Sequence, residues 1–192
     1  MKKLFAAFFL ALTTLLFATQ VQAQCSSSHK SRTVRVGGTE MNSQRDIVSN
    51  FAQSNDHTTL VAAVKAADLA GTLQSDGPFT VFAPVNAAFD KLPDGTVSTL
   101  LRPENKGQLS KILTYHVVAG KLDASKIAQA IEHGGGKAEL TTVSGDRLTA
   151  MMNGTKNVVL KDENGNYANV SIYDVYQSNG VVHVIDSVIL PN

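Results

Sequence analysis

The stretch "GPFTVFAPVNAAFDKLP", Gly77 to Pro93, places a strand, a proline-broken turn and a helix start side by side. Phe79 to Phe82 alternates apolar with β-branched residues, as a buried strand does, and Pro84 ends the run because it has no amide hydrogen for a ladder. Asn86 suits the N-cap of a helix over "AAFDKL", whose Phe89 and Leu92 share a face. Pro93, Asp94 and Gly95 then form a turn before "TVSTLL". What surrounds this corner decides the fold class.

On its N-terminal side the apolar period is helical. "RDIVSNFAQS" predicts a short helix with Ile47, Val48 and Phe51 on one face and Asp46 near its start. "HTTLVAAVKAADLAGTL" predicts a longer one: Leu60, Val64 and Ala67 step by three and four, Thr58 can cap it and Gly71 can stop it. On the C-terminal side, "NKGQLSKILTYHVV" predicts a helix presenting Leu109, Ile112 and Leu113 that runs into an extended piece at Val117 and Val118. "DASKIAQAIEHGGG" predicts another, capped by Asp123 and ended by the glycines from Gly134. The period then switches to alternation. "KAELTTV", "RLTAMM", "NVVLKD", "YANVSIYDVY" and "VVHVIDSVIL" are strand candidates, separated by hairpin turn residues such as Asn153-Gly154, Asn164-Gly165-Asn166 and Asn179-Gly180. The result is an α+β domain without internal repeats, helices mainly N-terminal and antiparallel strands mainly C-terminal.

The chain opens "MKKLFAAFFLALTTLLFATQVQAQ", where Lys2 and Lys3 precede an apolar run that ends at Val21-Gln22-Ala23. This pattern predicts a signal peptide over residues 1–23, and the run falls short of the roughly 20 apolar residues of a spanning helix. No transmembrane segment is expected in the mature protein. Residues 24–45 are polar and without period, which predicts a flexible leader, and the domain is expected over 46–192. A lipid on Cys25 would tether the protein to a membrane, but Gln24 stands where such processing wants a small residue. Export to the periplasm or the extracellular space is therefore expected. Removing Lys2 and Lys3 leaves 15 Lys+Arg against 16 Asp+Glu, a net charge of −1, so nothing recommends a nucleic acid as partner. A single cysteine forms no internal disulfide, so stability must come from an apolar core, which about 170 residues can supply.

Three stretches in this order resemble the fasciclin (FAS1) domain family: "FTVFAPVNAAF" (Phe79 to Phe89) its first signature box, "LTYHVVAGKL" (Leu113 to Leu122) its Tyr-His segment, and "NGVVHVIDSVILP" (Asn179 to Pro191) its closing box. The resemblance implies a β sandwich or wedge with helices packed around it, and an adhesion or matrix-attachment role, with bacterial single-domain members being exported. Two departures stand out. Val85 replaces the usual Thr or Ser, which leaves Asn86 to cap alone. In animal matrix members an Asp-Ile pair ahead of the closing box and the Tyr-His neighbourhood are associated with integrin binding. Asp174-Val175 and Tyr115-His116 fall at those positions here, but Ile172 and Tyr173 stand where some members have Glu-Pro, which argues against integrin recognition.

Each candidate site has a structural counterpart. Tyr115-His116 offers a titrating imidazole and a hydroxyl. A buried His116 bonded to a group of the first box, such as Asn86 or Asp90, would account for it equally, since an unpaired buried polar group costs about 1 to 3 kcal/mol. "HVIDS" contains His183, Asp186 and Ser187, but on a strand Asp186 points opposite to the other two, and no nucleophile elbow is visible. "KDENGNYAN" has calcium-loop residue types in the wrong order; a type I′ turn at Asn164-Gly165 explains it better. The histidines show no metal spacing, and no catalytic residue, metal or cofactor is expected. The sequence thus predicts a non-enzymatic adhesion or protein-interaction module, with a protein or surface polysaccharide at the cell envelope as partner and contacts near Tyr115, His116, Asp174, Val175 and Tyr176. An alternative is a periplasmic binder of a small apolar or carbohydrate ligand, which requires a pocket of about 300 Å³ or more between helices and sheet. Oligomeric state is not specified by the sequence.

Overall fold

The computed structural model describes residues 33–154 and 157–192. The expected signal peptide, Cys25 and the first part of the expected leader lie outside the described residues. The rest of that leader segment contains a hairpin of two short strands, β1 (Val34–Val36) and β2 (Thr39–Met41). Val36 and Met41 are 1% and 2% exposed, so two isolated apolar side chains anchor a segment too short to show a period. Gly37 turns the hairpin with φ +57°, where a Cβ would strike the Ser54 hydroxyl.

Helices dominate the next part. α1 (Ile47–Phe51) is capped by Asp46, whose carboxylate accepts from Ser49 N at 2.8 Å. The single helix expected over residues 57–73 is instead two, α2 (Thr58–Ala66) and α3 (Ala70–Leu73). The break comes at Asp68, φ +60°, before Gly71 is reached. Leu69 N closes back on Val64 O, the six-residue bond of a left-handed helix stop, and aspartate is one of the few non-glycine residues that enters that conformation. Then follow β3 (Phe79–Pro84), α4 (Asn86–Phe89), α5 (Thr96–Leu100), α6 (Lys106–Tyr115), β4 (Val117–Ala119) and α7 (Ala124–His133).

The C-terminal part is the expected run of strands: β5 (Lys137–Thr141), β6 (Arg147–Asn153), β7 (Asn157–Lys161), β8 (Tyr167–Gln177) and β9 (Gly180–Ile185). They form a seven-stranded, mostly antiparallel sheet in the order β4-β3-β9-β8-β7-β6-β5, in which only β3 and β9 run parallel. The two ends of the sheet meet at a bridge between Val118 and Thr142, and Val143 N donates to Val117 O at 2.7 Å, so the sheet nearly closes into a barrel.

Two apolar cores flank the strands from the signature boxes. One gathers Phe51, Leu60, Val64 and Leu113 of the helices against Val81, Val182 and Val184. The other, inside the curl of the sheet, gathers Phe82 and Ile185 with Leu148, Leu160 and the α7 residues Ile127 and Ile131. Val81 and Phe82 are neighbours in sequence and point to opposite cores. That is why β3 and β9 are near-continuous apolar runs while β5 alternates: strands covered on both faces have no solvent side.

The β7–β8 turn differs from the expected type I′. Gly165 (φ +87°) is left-handed but Asn164 is not among the positive-φ residues. Gly165 N donates to Asp162 O at 3.1 Å, and the Asp162 carboxylate accepts from Asn166 N, Asn166 Nδ2 and Leu190 N. Asp162 thus spends its oxygens on the turn and on the chain's final segment.

Candidate functional site

The Tyr-His segment lies at the end of α6 and faces inward. Tyr115 is 0% exposed; its hydroxyl donates to Arg147 O at 2.8 Å, and burial pushes the phenol up to about 12. His116 is 3% exposed. Its Nδ1 donates to Ile112 O at 2.8 Å and its Nε2 accepts from Ile189 N at 3.3 Å, partners that fix the neutral Nδ1–H tautomer. Burial lowers this imidazole to about 4. His116 therefore pins α6 to the closing segment, not to Asn86 or Asp90 of the first box as expected.

Asn86 is engaged elsewhere. Val85, extended at φ −71° and ψ 163°, occupies the N-cap of α4 without a side-chain bond. The Asn86 amide instead accepts from Thr59 N (3.0 Å) and Thr58 Oγ1 (3.2 Å) and donates to Asn55 O (2.9 Å). It caps α2, a helix that begins 28 residues earlier, and so ties the first box to the helical layer.

Asp174, Val175 and Tyr176 lie in β8 beside two register shifts. Val175 is 0% exposed and pairs with Val182. Asp174 is partly exposed and left-handed at φ +57°. Its Oδ1 accepts from Ala124 N at 2.8 Å, in the first turn of α7, where Asp123 already accepts from Lys126 N at 2.9 Å. Two carboxylates thus sit on the positive end of one helix. Tyr176 is partly exposed, and Lys121 Nζ stands 5.0 Å from its ring centroid. Of the five candidate residues, Asp174 and Tyr176 reach the surface, while Tyr115, His116 and Val175 are core. Lys121 is an addition: no spacing rule links it to a residue 55 positions away, and only the folded chain brings them together.

The residues of "HVIDS" are separated by their partners. His183 is buried, with Nε2 donating to Leu122 O at 2.8 Å and Nδ1 accepting from Asp174 N at 3.4 Å; its ring stacks on Phe82. Burial lowers its pKa. Asp186 accepts from Asn169 N (2.8 Å), Asn169 Nδ2 (3.0 Å) and Ser187 Oγ (3.1 Å), and Lys91 Nζ lies 3.8 Å from its Oδ2. His183 supports the backbone under Asp174, and Asp186 ties β8 to the segment after β9; no proton relay joins them.

Between the helices and the sheet, a cavity lined by Ile47, Phe51, Leu60, Val64 and Val182 holds about 40 Å³. Sites for small ligands run from roughly 300 Å³ upward, so this space is a packing defect by comparison. No helix among the described residues is long and apolar enough to cross a membrane.

Comparison with known proteins adds three findings. The family model described as the fasciclin domain matches residues 55–191. Protein sll1483 of Synechocystis sp. is 45% identical over 185 residues, covering 95% of this chain and 94% of that protein, and the cell surface glycolipoprotein MPB83 of Mycobacterium bovis is 35% identical over 153 residues, covering 77% of this chain and 61% of that protein. Among solved structures, the FAS1 domain pair of the insect cell adhesion molecule fasciclin I matches with a TM-score of 0.68 at 17% identity, over 76% of this chain and 51% of that one, which is a likeness of fold.

Proposed function

The chain belongs to the fasciclin domain family, and from that premise we propose that it is an exported, non-enzymatic module for adhesion or protein interaction at the cell envelope or in the extracellular matrix. The observation that carries this reading is the fasciclin match over residues 55–191, which spans all the strands of the main sheet and all the helices but α1. A relative named as a cell surface protein and a fold shared with an adhesion molecule support it. Export rests on the signal pattern of residues 1–23.

The contact patch in this reading is Tyr176 with Lys121 above its ring, together with Asp174 two positions earlier in β8. A partly exposed aromatic ring on a strand, with a cation over its face, offers stacking area and a polar handle to a partner. Of the other three candidates, Val175 anchors β8 beneath the patch, while Tyr115 and His116 contribute as core residues elsewhere in the domain. The partner is a protein or a surface polysaccharide.

Affinity capture from the native envelope tests the patch, using the mature domain as wild type, Asp174→Asn and Tyr176→Ala. Asparagine tolerates positive φ and its side-chain oxygen can still accept from Ala124 N, so Asp174→Asn removes charge while sparing the fold. Recovery of a specific partner is expected to fall about tenfold with Tyr176→Ala. Equal recovery of every partner by all three baits would sink the patch.

A further inference from the structure

Where α4 gives way to α5, an apolar floor is left uncovered. Phe89, Leu92, Val97 and Leu101 line an open groove of about 510 Å³ around the Pro93–Gly95 turn. None of the five residues of α5 is buried, so its apolar side chains remain half in water. Asp90 and Asp94, both exposed, line the same groove, and no lysine or arginine does. The nearest cations in sequence are turned to other partners: Lys91 Nζ donates to Asp186 O at 2.6 Å and Ser187 Oγ at 3.1 Å, and Arg102 pairs with Glu104 at 3.9 Å.

We propose that this groove docks an extended peptide segment of a partner protein, one that carries apolar side chains flanked by lysine or arginine. Two carboxylates beside an apolar floor, with no cation among the described residues that line it, attract a basic segment and repel an acidic one. The openness of the groove selects a peptide over a small molecule. A small ligand gains its affinity by being almost wholly enclosed, whereas a peptide can lay alternate side chains on a trough and leave its outer face wet. The groove uses no residue of the Asp174–Tyr176 patch, so either site can fail without the other.

The test is a displayed library of random peptides of about twelve residues, panned against the full exported protein with counter-selection on the Asp90→Asn/Asp94→Asn variant. Recovered sequences are expected to combine apolar residues with Lys or Arg. By fluorescence anisotropy their binding should weaken at least about fivefold in the double variant and by a similar factor in Val97→Ser, while Asp174→Asn and Tyr176→Ala leave it unchanged. Raising NaCl from about 0.05 M to about 0.3 M should weaken binding to the wild type more than to the double variant. Both aspartates are exposed, so unchanged thermal melting accompanies their substitution. Recovery of no sequence above background, of sequences without basic residues, or of peptides indifferent to Asp90→Asn/Asp94→Asn overturns the proposal.

Discussion

Asn86 shows how a single side chain can be chemically legible and positionally misleading. Its type is that of a helix cap, and a cap it is, but for α2 and not for the helix it begins. Spacing rules see only neighbours, and the Thr59 amide is 27 residues away. Asn86→Ala removes three hydrogen bonds between the first box and the helical layer, two of them serving the α2 start. The expected cost is about 1 to 2 kcal/mol in urea unfolding, with the slope of the transition unchanged. Asn86→Asp keeps an acceptor for Thr59 N but has no donor for Asn55 O, so it should restore part of the loss. His116 is the matching case: its burial follows from the residue type and setting, but its partner Ile189 lies 73 positions away, beyond what local pattern reveals.

Strong local periods made most elements legible: the capped helices α1 and α7, and the strands β5 to β8, fall where alternation and turn residues place them, while β9 ends at Ile185, short of the expected Leu190. Elements were missed where tertiary contacts replace local signals. β1 and β2 are three residues each and survive because Val36 and Met41 reach a core assembled by other segments. α2 stops at Asp68 because an unusual residue takes the left-handed position that Gly71 was expected to fill. β8 looks like one long strand, yet its register shifts twice, which turns Asp174 toward the start of α7. Asp174→Ala should therefore act on a helix 50 residues away. It loses the bond to Ala124 N and forces alanine into positive φ, a combined cost of about 2 to 3 kcal/mol. Faster amide exchange over Ala124 to Ile127 is the expected readout, with Asp174→Asn close to wild type.

Across the molecule, three histidines among the described residues are buried in neutral form: His57, His116 and His183. Burial lowers His57 to about 4, against an opposing pull from Asp56, lowers His116 likewise to about 4, and lowers His183. Each returns to an ordinary value near 6.5 on unfolding, so the unfolded chain binds more protons between about pH 6.5 and pH 4. Stability is thus complete above that window and falls as pH drops through it, by on the order of 2 kcal/mol at pH 5 for each of His57 and His116. Urea midpoints measured from pH 7 to pH 4.5 should decline with a slope of two to three protons. A flat profile would contradict neutral burial. Asp46, whose burial is outweighed by hydrogen bonds from Ser49, and Asp186, whose burial is outweighed by those from Asn169, both titrate below 3.8 and add their losses only at lower pH. The near-closure of the sheet at Val118 and Thr142 carries a different consequence. An open sheet edge is a template that a neighbouring chain can extend into an aggregate. Here β4 is only three residues long and its outer side is met by the chain leaving β5, so a dense layer of these domains offers neighbours little edge on which a fibril could grow.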